Sequence, residues 1–161
     1  LIYAHDTCRV IECLTSLPKG TIRSLLFDEL CPEIVRMSKS KYARFFVTKM
    51  LKNGSAAQRN IIINAFRGHC VSLMRIQWAA EVLETAYNDY ANAEQRSNIV
   101  SEFYGKEYLL FKVVGIRIGY CLFQDESLKV VTLKDILEKD PAKKAVIIKN
   151  LEELLKDIVP K

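Results

Sequence analysis

Apolar residues recur along much of the chain at three- and four-residue intervals, the pattern of helices that bury one face. Ile22, Leu25, Leu26 and Leu30 form one series, Ile62, Ala65 and Phe66 a second, and Ile99 and Phe103 a third. They predict amphipathic helices over residues 21–30, 56–66 and 93–103. Each follows a polar or glycine-containing break: Leu17-Pro18-Lys19-Gly20, Asn53-Gly54-Ser55, and Asn88-Asp89-Tyr90-Ala91-Asn92. Ahead of each break lies another helical stretch, around residues 6–14, 40–52 and 78–86. Phe45 and Phe46 in the middle stretch are expected in the core. Ser55 before Gln58, and Asn92 before Gln95, have the spacing of N-cap and N3 partners. Short third segments close the first two units. Residues 32–37 begin with proline at a helix start, and residues 68–74 follow a glycine stop.

These elements repeat. Arg9 and Arg44 lie 35 residues apart, each behind a small residue (Cys8, Ala43) and before an apolar pair (Val10-Ile11, Phe45-Phe46). Glu81 follows 37 residues after Arg44, behind Ala80 and before Val82-Leu83. No such unit covers its own apolar face, so neighbours must stack. The expected fold is all-α, a solenoid of roughly 36-residue units. Residues 1–112 hold about three of them. Leu1 is not an initiator methionine and the chain opens in mid-helix, so a fragment of a longer array is expected.

Residues 113–131 interrupt this rhythm. Val113-Val114-Gly115-Ile116-Arg117-Ile118-Gly119-Tyr120-Cys121-Leu122-Phe123 is β-rich and carries two glycines. One reading is an irregular insertion, as a hairpin, strand or loop. The other is a retained intron, because deleting residues 113–124 would join Lys112 to Asp125 and restore the repeat pattern. Residues 132–161 return to helix as a further pair. Thr132 is placed to cap the first helix, and Asp140-Pro141 to start the second. Val146, Ile147, Leu151, Leu154, Leu155 and Ile158 make one apolar face of that second helix.

At 161 residues, half of them hydrophobic, the chain is long enough for a sizeable core. Its formal net charge of +5 is unevenly spread. Residues 34–80 hold nine cations (Arg36, Lys39, Lys41, Arg44, Lys49, Lys52, Arg59, Arg67, Arg75) and no carboxylate, whereas the flanks are each net −2. A local field of this size attracts polyanions, and a solvated basic face is the plainer alternative.

No catalytic constellation is visible. His5 and His69 are far apart in sequence, and His5 and Asp6, as helical neighbours, do not face each other. His5 reads as a capping or packing residue and His69, behind Gly68, as a turn residue. Phosphate-loop and dinucleotide motifs are absent. The five cysteines are scattered without C-x-x-C spacing, which fits a reducing compartment and offers no metal site. The longest apolar stretch, residues 108–123, contains Lys112 and Arg117 and is short for a bilayer span. No enzyme activity, cofactor, metal, membrane or small-molecule substrate is expected.

Several strings resemble the Pumilio (PUF) repeat family, and more narrowly its Penguin/Puf-A branch. They are Ala4-His5-Asp6-Thr7-Cys8-Arg9-Val10-Ile11, Ser38-Lys39-Ser40-Lys41-Tyr42-Ala43-Arg44, Phe66-Arg67-Gly68-His69, Ala86-Tyr87-Asn88-Asp89 and Glu94-Gln95-Arg96. The likeness covers residues 1–112 and resumes more weakly at residues 132–138. It implies a right-handed α-solenoid in which each repeat meets one base, two side chains bonding its edge and one stacking on its face. Carried over, the first unit offers Cys8 and Glu12 at the edge with Arg9 stacking. The second offers Ala43 and Val47 with Arg44, and the third Ala80 and Glu84 with Glu81. Alanine and valine bond no base edge, so sequence readout is expected to be weak or absent. Phosphate contacts and stacking remain, and neither depends on sequence.

The candidate nucleic-acid-binding residues are therefore Cys8, Arg9, Glu12, Lys41, Tyr42, Arg44 and Arg75, with Lys39, Lys49 and Lys52 on or near the rim. Tyr42 reads either as a stacking platform or as packing against the next unit, and Trp78 as inter-repeat packing. The expected partner is RNA, with DNA and pre-ribosomal proteins as further candidates. The branch implies a nucleolar location and a role in large-subunit ribosome biogenesis. A protein-binding scaffold and a sequence-specific regulator of mRNA translation are the alternatives.

Overall fold

The computed structural model describes residues 3–17, 20–105, 108–109, 133–139 and 141–158, and among them every regular element is helical. The β-rich segment at 113–131, the expected cap Thr132, and Asp140 lie outside the described residues, and Pro141 precedes the last helix in a turn rather than at its first position. The first repeat comprises α1 (His5–Ser16), α2 (Gly20–Leu30), a 3-10 turn (Cys31–Glu33) and α3 (Ile34–Ser38). The second comprises α4 (Arg44–Asn53), α5 (Ala56–Ala65) and α6 (Cys70–Met74). The third opens with α7 (Gln77–Thr85), continues through a π-helical turn (Ala86–Tyr90) and follows with α8 (Ala93–Phe103). Two later helices are α9 (Leu133–Lys139) and α10 (Lys143–Ile158). The chain divides into two compact units, Leu1–Ile99 and Val100–Lys161, with the division inside α8.

In the first unit α1 packs on α4 and α4 on α7. Phe46, Val47, Met50 and Leu51 of α4 are at most 3% exposed, and Ile62, Phe66, Leu73, Val82 and Leu83 join them in the core. Each such side chain contributes about 1.5–3 kcal/mol on burial, so stacking between repeats outweighs any single cap. Two apolar residues depart from expectation. Phe45 is 41% exposed because it sits one position off the buried 43–46–47–50 stripe, so it is not core. Leu25 is 63% exposed, since Phe27 and Leu30 carry the burial on α2.

The helix starts agree with the spacing read from sequence. At α5 the Gln58 amide donates to Ser55 Oγ at 3.2 Å and the Ser55 amide to Gln58 Oε1 at 3.0 Å, a reciprocal capping box. The same exchange links Gln95 to Asn92 Oδ1 at 2.8 Å and Asn92 to Gln95 Oε1 at 3.0 Å ahead of α8. Gly54 closes α4, where a Cβ would collide with the Met50 carbonyl oxygen. Gly68 adopts φ +82° and lets His69 lead into α6.

Three arginines fasten the helix ends. Arg23 donates from Nε to the Thr15 carbonyl at 3.1 Å and from Nη2 to Leu17 at 2.8 Å, capping α1. Its Nη1 reaches the Asn53 carbonyl at the end of α4, 2.6 Å away. Arg59 Nη2 donates to the Lys52 carbonyl at 3.0 Å while its guanidinium lies 4.9 Å from the Tyr90 ring centre. Arg96 donates to the Tyr87 and Asn88 carbonyls, both at 2.9 Å. A helix C-terminus leaves carbonyls unpaired and carries partial negative charge, which a planar cation with several donors suits. Arg23 and Arg59 each also touch the following repeat.

The π-turn sets the register of the third repeat. Buried Phe46, Val47 and Met50 of α4 match buried Val82, Leu83 and Ala86, each 36 residues later. Beyond the turn, Ser55, Gln58 and Arg59 match Asn92, Gln95 and Arg96, each 37 residues later. The Ala91 amide donates to the Ala86 carbonyl at 2.8 Å, five residues back, which absorbs the one extra residue.

In the second unit Tyr108 and Ile147 are buried together, with Tyr104, Leu133, Leu137 and Leu151 packed around them. The Tyr104 and Tyr108 rings meet edge to face at 5.0 Å, and Asn150 Nδ2 donates to the Tyr104 carbonyl at 3.2 Å. On α10 the expected apolar face is only partly used, because Val146 and Leu155 are 41% and 53% exposed.

Candidate nucleic-acid interface

The first helices of the three repeats, α1, α4 and α7, lie side by side and expose one mixed polar and aromatic face. It carries Arg9, Val10 and Cys13 from α1, Arg44, Phe45, Thr48 and Lys49 from α4, and Glu81 and Glu84 from α7.

On α1, Arg9 is largely exposed and its Nη1 lies 3.7 Å from Glu12. Glu12 is half-buried and also lies 4.0 Å from Lys49 Nζ of the neighbouring repeat. The structure therefore brings Arg9, Glu12 and Lys49 together as one charge cluster. Cys8 is only 8% exposed, and burial pushes its thiol pKa up. The structure thus places this base-edge candidate among the buried residues of α1.

On α4, Arg44 is nearly covered, its side chain 17% exposed. Nη1 pairs with Glu81 Oε2 of the next repeat. The guanidinium lies 4.8 Å from the Phe45 ring centre and 5.5 Å from that of Trp78. Its Nε is buried with no hydrogen-bond partner among the described residues. Trp78 thus packs between repeats, as its sequence position implied. Glu81 and Phe45 were missed as Arg44's partners. The only sequence signal was the 37-residue spacing of an Arg–Glu pair across adjacent repeats.

Tyr42 is half-buried, its ring edge-on to His5 of α1 at 4.9 Å and 5.5 Å from Lys41 Nζ. This ring contact packs it against the preceding first helix. Lys39 and Arg75 end α3 and α6, each just ahead of a first helix and 36 residues apart. Lys41 and Arg75 are exposed, Lys39 is half-buried, and Lys52 is exposed in the last turn of α4.

The register changes the third unit. Burial aligns Ala43 with Ala79, Arg44 with Ala80 and Val47 with Leu83, so the equivalents of the edge and stacking positions are Ala79, Leu83 and Ala80. Glu81 instead matches exposed Phe45 and Val10. The assignment of Ala80, Glu84 and Glu81, which matched Ala80-Glu81-Val82-Leu83 to Ala43-Arg44-Phe45-Phe46, is therefore one residue out of register. Ala43, Val47, Ala79 and Leu83 are at most 1% exposed, so the edge positions of both repeats are apolar and covered. Among the described residues no group of three or more His, Cys, Asp or Glu could hold a metal ion, and no helix is long and apolar enough to cross a membrane.

Stacked three-segment repeats whose first helices share a polar face define an α-solenoid of PUF type. No family model matches the chain. It is 57% identical over 155 residues to Pumilio domain-containing protein 12 of Caenorhabditis elegans, covering 96% of this chain and 18% of that protein. The crystal structure of human Puf-A superposes with a TM-score of 0.80 at 34% identity, covering 96% of this chain and 28% of that one. Human Puf-A in complex with DNA gives a TM-score of 0.77, with the same identity and coverage. The chain belongs to the Pumilio (PUF) repeat family, in its Puf-A branch, and spans less than a third of each of these relatives.

Proposed function

We propose that the chain is a nucleic-acid-binding segment that holds single-stranded RNA, and DNA, without reading base sequence. The observation that carries this is the apolar, covered state of Ala43, Val47, Ala79 and Leu83. A repeat that presents no donor or acceptor at a base edge leaves phosphate contact and stacking as its means of binding. Exposed Arg9, Lys41, Lys52 and Arg75 supply cations. A solved complex of human Puf-A with DNA supports the reading, and so does the excess of cations over residues 34–80. In the cell this activity serves nucleolar assembly of the large ribosomal subunit, a role that rests on the branch resemblance.

Fluorescence anisotropy with unrelated single-stranded RNAs, titrated at several salt concentrations, tests it. All sequences should bind alike, and log affinity should fall against log salt with a slope of roughly −2 to −4, as about three to five single-strand phosphate contacts require. A single sequence preferred by orders of magnitude would refute it. The carboxylates Glu12, Glu81 and Glu84 on the shared face favour a second reading, a scaffold for proteins of the same assemblies. Saturable binding to such a protein, uncompeted by nucleic acid, would establish that reading instead.

A further inference from the structure

Arg44 holds the position from which a PUF repeat would stack on a base, yet it is already occupied. Its partners all come from its own helix or the next one: the Glu81 carboxylate, the Phe45 ring and the Trp78 ring. The occupation is lopsided. Glu81 meets Nη1, while Nε is buried and makes no hydrogen bond among the described residues. A guanidinium offers five donors in a planar fork, and Glu81 engages this one at Nη1. Glu81 itself is 54% exposed and lies outside the core stripe of α7, so it can leave without disturbing the packing of Val82 and Leu83.

We infer that Glu81 is an internal competitor for the site that Arg44 offers to nucleic acid, standing where a phosphodiester oxygen would bind. This rests on the nucleic-acid reading above and names the residue that sets the strength of its middle subsite. In the resting chain Arg44 is neutralised and releases no counterion when a strand binds. A strand engages it only by displacing Glu81. The Phe45 and Trp78 rings, 4.8 and 5.5 Å from the guanidinium, hold the freed group between α4 and α7 by cation–π contact. The carboxylate therefore weakens binding at this repeat without adding any sequence preference.

The test is a double-mutant cycle in the full chain. Single-stranded RNA binding is measured by anisotropy across a salt series, with folding checked by circular dichroism. Glu81→Gln keeps the size of the side chain and removes its charge. It should raise affinity about two- to fivefold, the range that exposed ion pairs reach. It should also steepen the salt slope by about 0.7, the signature of one more single-strand phosphate contact. In the Arg44→Gln background Glu81→Gln should gain no more than Glu84→Gln does, and its steepening of the salt slope should be lost. Glu84→Gln removes a carboxylate one turn along α7, and its small gain should be the same with or without Arg44.

A gain from Glu81→Gln that persists in full without Arg44, steeper slope included, or a parent slope that flattens by about 0.7 on Arg44→Gln alone, overturns the inference and leaves the binding function standing. Absence of binding by the folded parent and all variants overturns both.

Discussion

Two sets of arginines repeat along this chain with nearly the same period and do opposite work. Arg23, Arg59 and Arg96 belong to second helices and donate to backbone carbonyls at the ends of first helices. Arg9 and Arg44 belong to first helices and meet carboxylates on the shared face. A backbone carbonyl cannot move away, so the first set is fixed to the fold. A glutamate can be displaced, so the second set remains open to exchange with a polyanion. Counting cations along the sequence treats both sets alike. Within residues 34–80, Arg59 is fastened to backbone, while Arg36, Arg44 and Lys49 are paired with Glu33, Glu81 and Glu12. The field felt by a nucleic acid is correspondingly weaker than nine unpaired charges would give.

Replacing one member of each set separates them most widely. Arg23→Ala removes three charge-assisted hydrogen bonds and leaves the Thr15, Leu17 and Asn53 carbonyls without that donor. It should cost about 2–4 kcal/mol of stability, read by urea denaturation, with RNA affinity of the folded protein unchanged. Arg44→Gln should cost less than about 1 kcal/mol, because its partner is half exposed. Equal losses would erase the distinction.

A smaller effect concerns the apolar edge positions. Val47→Gln places an amide at a position with no exposure and should destabilise by about 1–3 kcal/mol without creating base preference. A sequence preference gained on this substitution would mean that the position reaches the bound strand after all. Ser55→Ala deletes one half of the α5 capping box and should cost about 1 kcal/mol by the same denaturation, leaving binding alone. The least effect is chemical. Burial raises the Cys8 thiol pKa, so less thiolate is present at any pH below it, whereas Cys13 is exposed on the same helix. Iodoacetamide should therefore label Cys13 well before Cys8, as followed by peptide mass spectrometry.

Much of this architecture is legible in the residues. Helical periodicity, the Ser55/Gln58 and Asn92/Gln95 pairs, and the Gly54 and Gly68 stops place α2, α5, α6 and α8 because each is a local signal. The third-repeat register was not legible, since a π-turn adds one residue without any mark in composition. The small residue and apolar pair around Glu81 imitate those around Arg44, so the pattern was matched at a spacing of 37 on α7, where 36 holds. Phe45 was misplaced because two adjacent phenylalanines on a helix point about 100° apart, and only one can face the core. The Arg44–Glu81 pair is a contact between repeats, which periodicity within a helix does not report. The candidate face was thus found by its helices and its cations, while its carboxylates and their partners came only from the packing of α1, α4 and α7.

Selection from a fully randomised single-stranded RNA pool, followed by sequencing of the bound fraction, is the decisive measurement. A PUF-type face with apolar side chains at the base edges of two repeats should return bound RNAs with no common motif, enriched only as salt permits. Recovery of a short shared motif, lost when Arg9 or Glu12 is replaced, would show that this face reads sequence.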